Sequence, residues 1–183
     1  MRSLFYYGKE GSTMAKTSGG VRYSHSTPSQ DFKEFRAYSR DWEKTYFDHQ
    51  TGGYVVTNKE RIKSAEVSSN EHKIFQKEQD MCLDLAQQGH KVEHLSDKNR
   101  PKGKTYDINY DGNKAGLKSV GSHNNIENYV KHAVREQGAS TVIVRIEDMA
   151  NKGKAVKVLQ DAKRKYGRRI LYYFQSDKAL REV

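Results

Sequence analysis

The stretch Thr105-Tyr-Asp-Ile-Asn-Tyr-Asp-Gly-Asn-Lys-Ala-Gly-Leu-Lys118 constrains this chain more than any other. Asp-Gly signals a two-residue hairpin loop, because a type I′ turn needs positive φ at both central residues. With Asp111-Gly112 as the loop of a hairpin over residues 105–120, Tyr110 opposes Asn113 and Asn109 opposes Lys114. Ile108 then opposes Ala115, and Asp107 opposes Gly116. Opposed residues share a face and side chains alternate along a strand. Asp107, position 116 and Lys118 therefore converge on one side, while Ile108, Ala115 and Leu117 face the other. A bulge would undo this register. An ordinary hairpin with a solvated polar face would show the same pattern.

A second signal lies in the best helical segment, residues 70–88, opened by Ser69-Asn70 and closed at Gly89. Ile74, Glu78, Cys82 and Leu85 share one face of it, and Glu71 lies two turns from Glu78 on a similar face. A carboxylate desolvated among apolar residues needs a cation beside it, such as a lysine or a divalent metal. The plainer alternative puts Glu78 at the edge of the stripe, reaching into water.

The remaining pattern supplies the frame. Residues 1–28, rich in Gly, Ser, Thr and Lys, read as a loosely attached arm with Met14 as an alternative start. A helix is expected over 30–46 behind Ser29, a turn at Thr51-Gly52-Gly53, a strand at 54–56 and a weak helix at 58–66. After helix 70–88 come a strand at 90–95, a polar loop at 96–104, the hairpin, and a helix from Asn124 to Gln137 stopped by Gly138. A β-branched strand at 141–146, an amphipathic helix at 153–166 and a final strand at 170–174 complete the chain. From residue 70 the order α-β-β-β-α-β-α-β predicts an α/β fold with a mixed sheet. The expected division is an N-terminal arm over 1–50, partly disordered and then helical, and a domain over 54–183.

Charge suggests a partner. Lys and Arg number 33 against 23 Asp and Glu, a net of +10, which favours a polyanion because basic contacts release condensed counterions. A merely Lys-rich surface would look the same. Lys163, Arg164, Lys165, Arg168 and Arg169 form the best candidate phosphate track. Cys82 is the one cysteine, which rules out an intramolecular disulfide and fits a cytoplasmic setting. No apolar run approaches the length of a membrane span, so no membrane association is expected. The seven histidines form no metal-spaced set, His123 reads as a solvated loop residue, and no phosphate-cradling glycine loop occurs.

A helix acid, a strand Asp and a strand Lys two residues past a partner position resemble the PD-(D/E)XK nuclease superfamily. Tyr106-Asp107 stands where that family has Pro-Asp. The stretches Lys77–Leu95 and Ala115–Ile126, followed by Glu136-Gln-Gly-Ala139, look more specifically like a toxin nuclease domain. Such domains end contact-dependent growth-inhibition proteins of the CdiA type and also follow phage Mu F-like minor head proteins. The resemblance spans roughly residues 54–174. It implies a restriction-endonuclease-like fold and a (t)RNase activity using Mg²⁺ or Mn²⁺. It also implies RNA rather than DNA as substrate and a cognate immunity protein. Carried over residue by residue, Glu78, Asp107 and the Leu117 carbonyl would hold the metal. Lys118 would orient the attacking water, and Gln137 would support the site.

The pattern breaks at one position. This branch would have Ala-Asp-Leu-Lys, and the chain has Ala115-Gly116-Leu117-Lys118. Three accounts follow. The site is dead and the domain only binds nucleic acid, or another acid such as Asp111 or Glu78 takes over, or the change disarms a toxic nuclease. A structural phage or mobile-element protein is a further alternative.

Overall fold

The computed structural model describes residues 27–96, 102–147 and 150–183. The predicted arm up to residue 26 lies outside them, as does most of the predicted 96–104 loop. The architecture is mixed α/β, built on one eight-stranded sheet whose strands lie in sequence order.

Helix α1 (Pro28–Ala37) is capped by Thr27, which exchanges bonds with Gln30 in a capping box, and Pro28 suits the first turn. It ends well before residue 46. Residues 42–47 form strand β1 (Trp42–Phe47), not the second half of a helix. The 30–46 prediction fails because β1 folds back on β2 (Tyr54–Asn58) across the Gly52-Gly53 turn. Phe35, Tyr54 and Val56 are buried there, with Phe32, Tyr38, Trp42 and Phe47 packed on them. Aromatic residues at 42, 46 and 47 serve that ribbon better than a helix. Strands β1 and β2 belong to the same sheet as the rest.

Asn58 caps α2 (Lys59–Ala65), and Ser68 caps α3 (Ser69–Ala86). Next come β3 (Lys91–His94), β4 (Ile108–Tyr110) and β5 (Asn113–Val120). The hairpin register follows the prediction for Tyr110 on Asn113, Asn109 on Lys114 and Ile108 on Ala115. The predicted Asp107–Gly116 pair is not part of the ladder, and the Asp107 N–H donates to the Ala115 carbonyl at 3.0 Å instead. Asp111 and Gly112 have φ of 46° and 78°. A short 3-10 turn at His123–Asn125 leads into α4 (Ile126–Arg135), then β6 (Thr141–Ile146). Helix α5 (Lys152–Tyr166) ends at Gly167 in the left-handed region, and β7 (Arg169–Phe174) follows. The predicted last strand is not the last: β8 (Arg181–Glu182) pairs antiparallel with β7.

The pairs β2–β3, β5–β6 and β6–β7 are parallel, and the others are antiparallel. Alternation along the strands sorts the core onto two faces. Helix α3 covers one through Met81, Cys82 and Leu85, against Val92, Ile108, Ala115, Leu117 and Ile143. Helices α4 and α5 cover the other through Ile126, Val130, Ala133 and Leu159, against Val142, Val144 and Ile146. The register of β5 on β6 puts Gly116 and Lys118 opposite Val142 and Val144, on the α4 side.

Candidate active site

Asp107 precedes β4 and is 9% exposed. Its Oδ2 accepts the Leu117 backbone N–H at 2.7 Å, and its Oδ1 accepts the Gln137 side-chain amide at 3.3 Å. The Lys118 ammonium lies 3.6 Å from Oδ2. The hairpin register thus brings the strand Asp and the strand Lys together as predicted. Gln137 arrives because the chain turns at Gly138, whose φ is 73°, just after α4. Its amide also donates to the Thr105 carbonyl at 3.1 Å, so it ties the end of α4 to the strand that carries Asp107. Its Oε1 is buried and has no hydrogen-bond partner among the described residues.

Glu78 is half-buried, with Cys82 and Leu85 of its helical face in the core but Ile74 exposed, and a cation stands beside it. The Arg61 guanidinium donates to Glu78 Oε2 at 2.8 Å, and His94 Nε2 meets the same oxygen at 2.9 Å. Burial alone would push the Glu78 carboxyl up. The His94 hydrogen bond and charge, with the Arg61 charge, outweigh it and hold the carboxyl below its ordinary range. Phe75 backs this clamp: His94 stacks on its ring at 5.4 Å, and Arg61 sits over it at 5.2 Å. His94 is fully buried, and its Nδ1 has no partner among the described residues. Its Nε2 is the nitrogen that faces Glu78.

Glu78, Asp107 and Gln137 line one pocket of about 620 Å³, together with Glu60, Arg61, Ser64, Val67, Glu71, Ile74, Ser96 and Thr105. Its walls come from the neighbouring helices α2 and α3, the exit of β3, the approach to β4 and the turn after α4. Both carboxylates also act on buried Cys82, whose thiol is pushed far up by burial first and then by Glu78 and Asp107. That places Cys82 in the core beneath the site, not in a reactive position.

Three expectations change. Leu117 does not line the pocket and joins the site through its amide on Asp107. Asp111 cannot stand in for the missing acid. It sits at the far end of β4, where its carboxylate accepts Lys91 N–H at 2.8 Å and meets His90 Nδ1 at 2.8 Å. The basic track is not one continuous surface. Lys163, Arg168 and Arg169 line a separate pocket at the hairpin tip with Lys91, Asp111 and Glu182, whereas Arg164 pairs with Asp161 and Lys165 with Glu127. At the tip, Arg169 and Lys163 face Glu182, and Lys91 faces Asp31 and Glu34. Most of this charge is answered within the protein.

Gly116 lies against the site. A Cβ there would meet Ala133 Cβ at 3.1 Å and Gln137 Oε1 at 3.5 Å. The missing carboxylate would thus emerge beside the unpartnered Gln137 oxygen, in close-packed surroundings.

Sequence reasoning missed Arg61 and His94. The isolated helix 59–65 gave no reason to single out Arg61. His94, however, alternates with buried Val92 on β3, and a histidine on the apolar side of a strand was a usable signal.

The pocket's donors are oxygens, the kind that a divalent ion such as Mg²⁺ or Mn²⁺ takes. Hard divalent ions take oxygen ligands and keep several waters. The pocket offers four carboxylates against the guanidinium of Arg61, and the Gln137 Oε1 without a partner. Among the described residues, no group of three or more His, Cys, Asp or Glu side chains is gathered to hold a metal. Two protein carboxylates plus water would have to suffice.

No protein-family model matches the chain, and no curated protein matches it. Among solved structures, it is similar to the CdiA-CT/CdiI toxin and immunity complex from Burkholderia pseudomallei. The identity is 13% and the TM-score 0.48, over 63% of this chain and 88% of that one. A likeness at that level says nothing about activity. Among the described residues, no helix is long and apolar enough to cross a membrane.

Proposed function

We propose that the chain is a metal-dependent phosphodiesterase domain of toxin type that cleaves RNA, with transfer RNA the favoured substrate. One observation carries this reading: Glu78, Asp107 and Gln137 meet in one acidic, oxygen-lined pocket, with Lys118 against Asp107. Asp107 and Glu78 would hold Mg²⁺ or Mn²⁺, which supplies charge neutralisation at the scissile phosphate and a more acidic bound water. Asp107 is fixed for this by the Leu117 amide and the Gln137 side chain. Lys118 orients the attacking water and offsets the charge that develops on phosphate. RNA rather than DNA, and an immunity protein as partner, rest on the sequence likeness of residues 77–95 and 115–126 to toxin nucleases.

A second reading draws on Gly116 and on Arg61 and His94, which already satisfy Glu78 Oε2. In it the domain binds nucleic acid without cutting it. A cleavage assay on total transfer RNA with Mg²⁺ or Mn²⁺ separates the two. The first reading predicts slow cleavage by the chain as given, abolished by EDTA and by Lys118→Ala. Binding without cleavage, even in Gly116→Asp, supports the second.

A further inference from the structure

Among the described residues, the pocket lined by Glu78 and Asp107 has one cation in its walls, Arg61. We infer that Arg61 is a substrate-binding residue that exchanges partners, holding Glu78 while the site is empty and the scissile phosphate when substrate and metal are bound. The inference rests on the phosphodiesterase reading above and adds to it the group that receives the phosphate.

Charge supplies the first reason. The lining carries Glu60, Glu71, Glu78 and Asp107, of which Glu60 meets Lys63, Glu78 meets Arg61 and His94, and Asp107 meets Lys118. A phosphodiester anion entering acidic walls is repelled unless a cation faces it directly. Lys118 sits against Asp107 and is not part of the lining, so among the described residues Arg61 is the lining cation that can meet an incoming anion.

Geometry supplies the second. Arg61 is held at three points: Nη1 donates to Ser64 Oγ at 3.2 Å, Nη2 to Glu78 at 2.8 Å, and the guanidinium lies over Phe75. The planar fork carries five N–H donors and suits two oxygens of a phosphate side by side. Phe75 and Ser64 hold the guanidinium at the pocket wall whether or not Glu78 is its partner.

Glu78 supplies the third. Both its recorded bonds fall on Oε2, from Arg61 and from fully buried His94. If Arg61 turns to phosphate, His94 still holds the carboxylate. Glu78 then keeps its place and has more negative charge available for a divalent ion. Arg61 thus competes with the metal for Glu78 and cooperates with it on the phosphate. No bond is made or broken in this exchange.

The consequence is a pair of effects of opposite sign. Arg61→Gln should tighten Mn²⁺ binding to the RNA-free protein by about threefold to tenfold, read by electron paramagnetic resonance. The same variant should weaken binding of a short RNA oligonucleotide, held with Ca²⁺ in place of the catalytic ion, by about tenfold. Arg61→Lys keeps the charge but not the fork, and should recover part of the RNA affinity. A merely structural arginine would weaken both together, as the site loosened. That result, or an unchanged Mn²⁺ affinity, overturns the inference. If Arg61→Gln fails to fold, the decision passes to Arg61→Lys, which must lose RNA affinity without losing Mn²⁺ affinity. Glu78→Gln and Asp107→Asn, run in parallel, should each lose Mn²⁺ binding. If neither does, the phosphodiesterase reading itself fails. If both do and Arg61 behaves structurally, only this inference fails.

Discussion

Asp107 and Asp111 flank β4, a strand of three residues, and their carboxylates do opposite work. Asp111 is a turn residue. It adopts positive φ, accepts the Lys91 amide, meets His90, and so locks the hairpin tip onto the start of β3. Asp107 is also held, by Leu117 and Gln137, yet it lines an acidic pocket and has Lys118 at 3.6 Å. The difference is not residue type or burial alone. At the tip the surrounding charges answer one another. At the other end, carboxylates from separate elements accumulate around a guanidinium and an unpartnered amide oxygen. A cluster of acids from separate elements around one pocket marks the end where chemistry is proposed.

The largest break in this comparison should come from Lys118→Ala, which should lower metal-dependent RNA cleavage about 10²-fold or more. Its melting temperature should stay near that of the parent. Loss of fold together with activity would make Lys118 structural. Next, Gly116→Asp should raise cleavage by a similar factor. Its cost is about 1–3 kcal/mol of stability, because the new Cβ crowds Ala133. Ala133→Gly in the same chain should recover part of that loss, as thermal unfolding would register. Asp111→Ala should cost about 1–3 kcal/mol through positive φ and two lost carboxylate bonds. Cleavage per folded molecule should not change, and Asp111→Gly, which suits the backbone, should cost less than Ala.

A smaller effect concerns acid. The Glu78 carboxyl is held below its ordinary 4.5 in the folded protein, so the stability it contributes is present above that value. It is lost as pH falls through the folded value. Denaturant unfolding in EDTA should show that decline in the parent. Glu78→Gln should flatten it while lowering stability at neutral pH, where Arg61 is left unpaired. An equal acid slope in both chains would contradict the Arg61–His94 clamp. Smallest of all, Arg168→Ala at the hairpin tip should change RNA affinity less than twofold.

Much of the frame was legible because it rests on short-range rules. Asp111-Gly112 set the register of the hairpin as far as Ile108 and Ala115, and Asp107 and Lys118 meet just beyond it. Periodicity located α3 and α5, and β-branched content located β6. What was not legible depended on distant partners. Residues 42–47 carry helix-compatible spacing, and only pairing with β2 makes them a strand. The two residues of β8 carry no pattern at all, and β7 supplies their structure. In the site, the need of Glu78 for a cation was readable, but the identity of its partners was not. Arg61 and His94 stand 17 and 16 residues away, and they meet Glu78 because α2 packs on α3 and β3 lies beneath. The basic track looked continuous in sequence, yet α5 and the turn after it disperse it over separate surfaces.

The most direct test is Mn²⁺ binding by electron paramagnetic resonance in three chains: the parent, Asp107→Asn and Asp111→Asn. The account predicts binding in the parent, its loss in Asp107→Asn, and no change in Asp111→Asn. Equal binding in all three, or loss in Asp111→Asn alone, would contradict the assignment of the metal site to the Asp107 end.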